Sequence, residues 1–272
     1  MPRSARRTGL LYGLALLLTL VNLAPLIWIG LTAFKTRMEI YQLPPVWIPD
    51  FTYIDNFSAV LQQYWPFLVN SIAITLCSTV LCLLIAIPCA FGLTVFSFKG
   101  QEDVKMWVLS NRMMPPIAAA VPLYLALRGI GLLDTWTGMV LIYTGFNLPF
   151  AIWMAMSFFR GAPHEVLEAA RIDGCNWLQV LVKVMVPMAA GGLMTVAVFV
   201  FLFAWNELLI ALFLTNRSAR TFPVILTSFS GQAQTLWEQM AAASMIQLLP
   251  PVVLTFFVQR HIVAGMTMGA VK

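Results

Sequence analysis

The chain has 272 residues, of which 60% are hydrophobic and only 10% are charged, and its mean hydropathy is +0.85. Soluble domains carry about 25% charged residues, so this composition excludes a soluble globular protein and predicts an all-α polytopic membrane protein. The net charge of +5 is small enough that no nucleic-acid partner is needed to explain it.

Six apolar runs approach the roughly 20 residues that cross a bilayer core of about 30 Å. They predict six transmembrane helices at residues 10–34, 70–96, 104–127, 137–158, 188–214 and 240–259. The connecting segments are too short for a soluble domain, so we expect residues 1–272 to form a single transmembrane domain. The first run is longer than the apolar core of a signal peptide, about 7–15 residues, and favours an uncleaved span over an export signal.

The distribution of Lys and Arg sets the expected orientation. With the N-terminus inside, ten of the 16 Lys and Arg residues fall in cytoplasmic segments, five in outer segments and Arg112 within a span. Both termini are then cytoplasmic. The four cysteines do not form a disulfide framework, because three lie on one span, and the two histidines lack metal-ligand spacing. We expect no catalytic residue and no metal site.

After the first span, residues 35–69 contain an amphipathic stretch that we expect to be helical and to lie along the membrane interface. The third span carries Arg112 just before Pro115 and Pro116, which must interrupt the helix. A charge beside a broken helix is typical of a transport path. The alternative is that Arg112 extends to the headgroups while its stem packs on apolar surface.

The fourth span places Tyr143, Asn147 and Phe150 along one helical face. On the fifth span Trp205 and Glu207 flank Asn206. Amides and aromatic rings together suit a sugar, whose hydroxyls need hydrogen bonds and whose C–H faces stack on rings. The candidate substrate path therefore comprises Arg112, Tyr143, Asn147, Phe150, Trp205, Asn206 and Glu207. Interhelical hydrogen bonding is the alternative role for each of these polar side chains.

Between these two spans, residues 162–186 are rich in charge and helix-capping signals. Pro163 can begin a helix that ends at Asp173 and Gly174, because glycine accepts the left-handed conformation that closes a helix. Asn176 can cap a second helix. A surface loop would need neither caps nor the small alanine face of the first helix, so we expect a helical elbow that another protein grips.

The elbow contains EAA-x3-G, at residues 168–174, followed by Pro187. Further motifs are Asn70-Ser71, RMMPP at 112–116, GLLDT at 131–135, NLPF at 147–150, AWNELLIALFLT at 204–215 and GMTMGAVK at 265–272. In this order they resemble the permease subunits of ABC importers, and within them the binding-protein-dependent, MalG-like carbohydrate-import group. The resemblance covers nearly the whole chain and departs at Phe222, where leucine is usual.

The resemblance implies a type I ABC importer permease fold, with six transmembrane helices and cytoplasmic EAA coupling helices. The residues that would contact the cytoplasmic ATPase are Glu168, Ala169, Ala170, Asp173 and Gly174. No GxxxxGK[ST] phosphate loop occurs in the sequence, so the resemblance implies that ATP and magnesium bind to partner subunits and that this chain holds no cofactor.

Further partners implied by the resemblance are a second homologous permease, two copies of the ATPase and a periplasmic or extracellular solute-binding protein, in a bacterial inner membrane. The last outer loop would contact that solute-binding receptor through Gly231, Gln232 and Gln234. A connection that merely lies on the surface is the alternative for this loop.

Together these features predict a permease subunit of an ATP-driven importer of a sugar or sugar-like solute. Two other classes stay open at this stage. A secondary active transporter would show internal repeats and buried ionisable groups for its coupling ion. A membrane-embedded enzyme would require paired carboxylates or histidines within its spans. Co-purification of an ATPase and a second permease separates the first class from both others.

Overall fold

The computed structural model describes residues 2–231 and 235–267, and these residues are predominantly helical. The helices are α1 (Pro2–Ala33), α2 (Arg37–Tyr41), α3 (Asp55–Val95), α4 (Gln101–Asn111), α5 (Pro116–Gly129), α6 (Trp136–Phe159), α7 (His164–Ile172), α8 (Trp177–Val180), α9 (Val186–Met188), α10 (Ala190–Trp205), α11 (Leu209–Leu214), α12 (Phe222–Leu226) and α13 (Trp237–Thr267). A π-helical turn (Leu181–Met185) joins α8 to α9, and a 3-10 turn (Thr227–Phe229) follows α12. The all-α fold class is confirmed.

Four stretches of helix in the described residues are long and apolar enough to cross a membrane: Thr8–Ala33, Asp55–Val95, Trp136–Phe159 and Trp237–Gln259. A fifth arises if Trp177–Met188 and Ala190–Trp205, which meet at an 83° bend, are counted as one span. The helix of the second predicted span begins earlier than expected, because the amphipathic stretch after Asp55 continues directly into it.

Two of the predicted spans are divided. In the third, α4 ends at Asn111 and α5 begins at Pro116. Proline lacks a backbone N–H and disfavours helical geometry in the residue before it, so the Pro115–Pro116 pair ends one helix and starts the next. In the fifth, α10 ends at Trp205 and α11 begins only at Leu209.

The chain packs as two compact units, one of residues 1–65 with 225–249 and the other of residues 66–224 with 250–272. The expectation of one transmembrane domain stays a prediction. In the first unit the buried Asn56 links the end of α1 to the start of α3. Its Nδ2 donates to the carbonyl oxygens of Ala33 and Lys35, each at 2.9 Å.

The second unit contains every residue of the candidate substrate path and of the elbow. Its central contact is the packing of α6 against α10, which buries a continuous cluster of small and branched side chains. Gly192 on α10 lies directly against the ring of Phe158 on α6, so a Cβ at this position would overlap the ring. The absence of a side chain therefore sets how closely the two helices approach.

A second buried cluster surrounds the beginning of α6. It joins α11 to α5 and includes Met139, Ile210 and Leu214, none of which is more than 1% exposed. The part of the fifth predicted span that follows the break is thus well packed, although the chain is not helical between α10 and α11.

Candidate functional site

A cavity of about 640 Å³ lies between α6, the break after α4 and the break after α10. Its size falls within the roughly 300–1,000 Å³ range of small-molecule sites. The residues that line it are Asn111, Arg112, Met114, Pro116, Tyr143, Phe146, Asn147, Phe199, Leu202, Phe203, Asn206 and Glu207. Five of the seven predicted substrate-path residues are therefore brought together by the fold.

Arg112 directly follows α4 and reaches across to two other helices. Its Nη1 donates to the carbonyl oxygen of Phe146 at 3.3 Å. Its Cζ lies 4.8 Å from the ring centroid of Phe203 and 5.5 Å from that of Phe150. The guanidinium is thus held at the cavity wall by cation–π contacts and one hydrogen bond.

The polar groups of α6 link this helix to the break in the fifth span. Asn147 donates through Nδ2 to the carbonyl oxygen of Tyr143 at 2.8 Å, and the hydroxyl of Tyr143 donates to the carbonyl oxygen of Glu207 at 3.3 Å. Glu207 in turn accepts the backbone N–H of Ile210 through Oε1 at 3.0 Å. These side chains both line the cavity and form hydrogen bonds within its walls, and their part in a substrate path stays a prediction.

The aromatic residues of the predicted path separate into two groups. Phe150 packs edge-on against Phe203, with ring centroids 5.1 Å apart, and lies beside Arg112 next to the cavity. Trp205 is buried, its ring stacks on that of Phe201 with centroids 5.8 Å apart, and it is not among the residues that line the cavity. Trp205 therefore packs within the protein and does not line the cavity.

Sequence reasoning missed Phe199 and Phe203, which line the cavity beside Asn206. The signal was present, because these three residues follow the i, i+4, i+7 spacing that places side chains on one face of a helix. In a span that is apolar on all sides, this spacing alone does not show which face lines a cavity. It does so only once Asn206 is known to face the cavity.

The elbow has the two capped helices that the sequence predicts. α7 follows Pro163, which occupies the cap position itself, and it is closed by Gly174 at φ +86°. Asn176 caps α8 through a reciprocal pair of hydrogen bonds with Gln179, each at 2.9 Å. Arg171 spans the turn, donating through Nη1 to the carbonyl oxygen of Cys175 at 2.6 Å.

The exposed side of the elbow carries most of the predicted ATPase-coupling residues. Glu168, Ala169, Asp173 and Gly174 are exposed, whereas Ala170 is only 7% exposed and belongs to the core. A depression of about 460 Å³ beside Glu168 is lined by Arg171, Ile172 and Trp177 among others. Ile172 is 86% exposed, so the elbow presents an apolar residue between charged ones.

The predicted receptor-contact residues are only partly visible. Gly231 is exposed and follows Ser230, which forms an isolated antiparallel bridge with Thr235. Gln232 and Gln234 lie outside the described residues. Within the described residues, no group of three or more His, Cys, Asp or Glu side chains could hold a metal ion.

Long apolar helices, a cavity at two helix breaks and an exposed helical elbow define a multi-pass membrane permease. Residues 83–268 match the family described as "Binding-protein-dependent transport system inner membrane component", and the chain belongs to this family. It is a transport subunit of an ABC importer, a class in which ATP is hydrolysed by a separate ATPase and solute is delivered by a binding protein.

Two curated relatives are similar over nearly their full length. The trehalose transport system permease protein of Mycobacterium tuberculosis is 37% identical over 257 residues, which cover 92% of this chain and 92% of the relative. The sulfoquinovosyl glycerol transport system permease protein of Agrobacterium fabrum is 34% identical over 257 residues, covering 93% and 90%.

The fold is also similar to that of a bacterial ABC transporter involved in the import of the acidic polysaccharide alginate. The TM-score is 0.79 at 23% identity, with 96% of this chain and 98% of that chain covered. This match identifies the fold as that of a type I importer permease.

Proposed function

We propose that the chain is the permease subunit of an importer for a sugar or sugar-like solute, and that it forms half of the translocation path. The observation that carries this proposal is the cavity of about 640 Å³ at the two helix breaks. Relatives named for trehalose and sulfoquinovosyl glycerol transport support the solute class.

The chemistry of the cavity suits a polyhydroxylated solute. Asn147, Asn206 and Glu207 provide amide and carboxylate groups, and Phe199 and Phe203 provide flat apolar faces. Sugars need both kinds of contact, because their hydroxyls exchange water for protein hydrogen bonds while their C–H faces pack on rings. A purely apolar cavity would leave the hydroxyls without partners at a considerable cost.

The elbow is the proposed contact with the ATPase. In this proposal Glu168, Asp173 and Gly174 face a cleft of the ATPase, and Ala169 allows a close approach of the two surfaces. Movement of the ATPase then acts on α8, which continues through the π-helical turn and α9 to the 83° bend before α10. Because α10 ends at the cavity beside Asn206, a tilt of the elbow changes the cavity wall.

The proposal extends to the remaining subunits and to orientation. A second homologous permease completes the path, two copies of the ATPase bind ATP and magnesium, and the receptor contacts the loop at residues 231–234. The distribution of Lys and Arg supports cytoplasmic termini and a cytoplasmic elbow in a bacterial inner membrane.

The test is purification of the tagged chain from native membranes, followed by a sugar-panel binding screen with the solute-binding protein that co-purifies. The expected result is an ATPase, a second permease and a receptor that binds one or a few sugars. Uptake by the chain alone, driven by an ion gradient, would instead indicate a secondary active transporter.

A further inference from the structure

Two motifs of the sequence, GLLDT and Asn70-Ser71, meet at one loop that follows the broken fifth span. The carboxylate of Asp134 accepts four consecutive backbone N–H groups from residues 216–219. Oδ1 accepts those of Asn216 and Ala219, each at 3.0 Å. Oδ2 accepts those of Arg217 and Ser218, at 3.0 and 2.9 Å. A nest of this kind usually binds an external anion, and here a side chain of the same protein fills it.

Asp134 is suited to this position by its backbone as well as its side chain. Its φ is +55°, in the left-handed region that aspartate and asparagine tolerate better than most residues. Partial burial alone would raise the pKa of Asp134, but the four N–H donors outweigh it and lower the pKa below its usual value. The carboxylate is therefore ionised at neutral pH.

The same loop is held from its other side by the beginning of the second predicted span. Asn70 donates through Nδ2 to the carbonyl oxygens of Ser218 and Arg220, each at 2.9 Å. Its Oδ1 accepts the indole N–H of Trp136 at 2.9 Å, and Ser71 Oγ accepts the N–H of Phe222 at 2.7 Å. The N–H groups of residues 216–219 are thus bound by the turn between α5 and α6, and the carbonyls of Ser218 and Arg220 are bound by α3.

Together these bonds fix α11 to α6 at both ends. Just before α11, Glu207 accepts the N–H of Ile210 with its side chain and the hydroxyl of Tyr143 with its backbone carbonyl. At the end of α11, the N–H of Asp134 donates to the carbonyl oxygen of Leu214 at 3.2 Å. By contrast, α11 is separated from α10 by the non-helical break.

We propose that Asp134 is a positioning residue of the transport cycle, which locks the 216–219 loop so that α11 moves with α6, and that the fifth span hinges at the break after Asn206. This inference rests on the proposed function, because the hinge lies at the proposed substrate cavity. When the elbow tilts α10, the locked α11 keeps its place and the cavity wall opens at the break.

The direct test is hydrogen exchange of the 216–219 amides in the complete transporter complex with Asp134→Asn. Asparagine keeps the left-handed backbone, but its NH2 group faces two N–H donors that have lost their acceptor. Exchange across this loop should become roughly tenfold faster or more, because hydrogen bonds to charged groups are the strong ones. The elbow peptides should exchange at the wild-type rate.

Asp50→Asn is the matched control, because Asp50 also accepts a backbone N–H, that of Thr52 at 2.9 Å, in an exposed turn of the first unit. It should leave exchange at residues 216–219 unchanged. The inference would be overturned if the 216–219 amides of Asp134→Asn exchanged at the wild-type rate, or if both variants accelerated their exchange equally.

The functional test compares uptake with ATP hydrolysis in proteoliposomes that contain the complete transporter and its receptor. For Asp134→Asn we expect the number of solutes carried per ATP to fall at least threefold, with the receptor concentration for half-maximal stimulation unchanged. A role in folding alone would lower the amount of active complex but keep that ratio. An unchanged number of solutes carried per ATP would overturn the inference. If the wild-type complex is not stimulated by its receptor, the proposed function is overturned instead. In that case the hydrogen-exchange result alone decides whether Asp134 locks the loop.

Discussion

Helices are interrupted both at the elbow and at the cavity, but the groups that close the breaks differ between the two places. At the elbow the interruption is closed locally, by Gly174 at φ +86° and by the reciprocal bonds of Asn176 with Gln179. At the cavity the interruptions are closed by groups far apart in sequence, such as Arg112 with Phe146 and Tyr143 with Glu207.

This difference fits two mechanical tasks. A segment that transmits force must keep its shape, and local groups close both the end of α7 and the beginning of α8. A segment that opens and closes must exchange partners, and bonds between different helices can be broken by moving one of them. The elbow is therefore expected to behave as a rigid body and the cavity as the deformable part.

The largest expected effect on transport comes from a change that breaks the rigidity of the elbow. Gly174→Ala places a side chain in the left-handed region at a cost of about 1–2 kcal/mol. Because this strain disfavours the docked shape of the elbow, we expect the uptake per ATP hydrolysed to fall about tenfold, since 1.4 kcal/mol corresponds to a factor of ten, while the complex still binds its loaded receptor. Uptake and receptor-stimulated ATPase activity in proteoliposomes are the measurements.

Gly100→Ala is the matched control, because Gly100 has φ +85° but lies outside the elbow. It should lose similar stability and keep its ratio of uptake to hydrolysis. If both variants change that ratio equally, backbone strain in general and not the elbow is responsible.

The next effect concerns the packing that joins the two regions. Gly192→Ala forces the ring of Phe158 away and should destabilise the complex by about 1–3 kcal/mol, the usual cost of overpacking. Thermal unfolding of the purified complex measures this loss. Gly145→Ala on α6 has no atom within 4 Å of the added Cβ and should be neutral or slightly stabilising. An unaffected Gly192→Ala would mean that α6 and α10 separate easily.

A smaller effect tests the cavity. Asn206→Ala should raise the solute concentration for half-maximal uptake roughly threefold to tenfold, as expected for one lost hydrogen bond of about 0.5–1.5 kcal/mol. Asn22→Ala on α1 is the matched control, because Asn22 donates to the carbonyl four residues earlier at 2.7 Å, as Asn206 does at 2.8 Å. Equal effects of the two variants would contradict a role for Asn206 in binding.

The smallest effect is the pH dependence of the Asp134 lock. The pKa of Asp134 in the folded protein lies below its usual value, so its ionised carboxylate stabilises the fold. This contribution to stability is complete above the unfolded pKa of about 3.9 and is lost as the pH falls through the lower folded pKa. The difference in Tm between wild type and Asp134→Asn should be constant above about pH 5 and shrink below about pH 4. A difference that persists to lower pH unchanged would show that the carboxylate charge is unimportant.

The elbow could be predicted from the sequence because local interactions determine its structure. Glycine after α7 and asparagine before α8 act on backbone groups within four residues, so a linear pattern contains the whole cause. The proline pair after Arg112 predicted the break in the third span for the same reason. The exposure of Ala169 and the burial of Ala170 could not be assigned, since either face of α7 could have turned inward.

The cavity could be predicted only in part, because its shape depends on tertiary contacts. No local signal predicts that the helix ends at Trp205 or that this ring packs away from the cavity while Phe203 lines it. The Asp134 lock joins residues more than 80 positions apart, and a GLLDT motif alone does not reveal its partner. What decides these contacts is which helices are neighbours.

The most direct test of the account is uphill uptake in vesicles prepared with and without the companion subunits. If this chain transmits force that is produced elsewhere, uptake requires the ATPase, the second permease, the loaded receptor and ATP together. Concentrative uptake by the isolated chain in vesicles without nucleotide would contradict it.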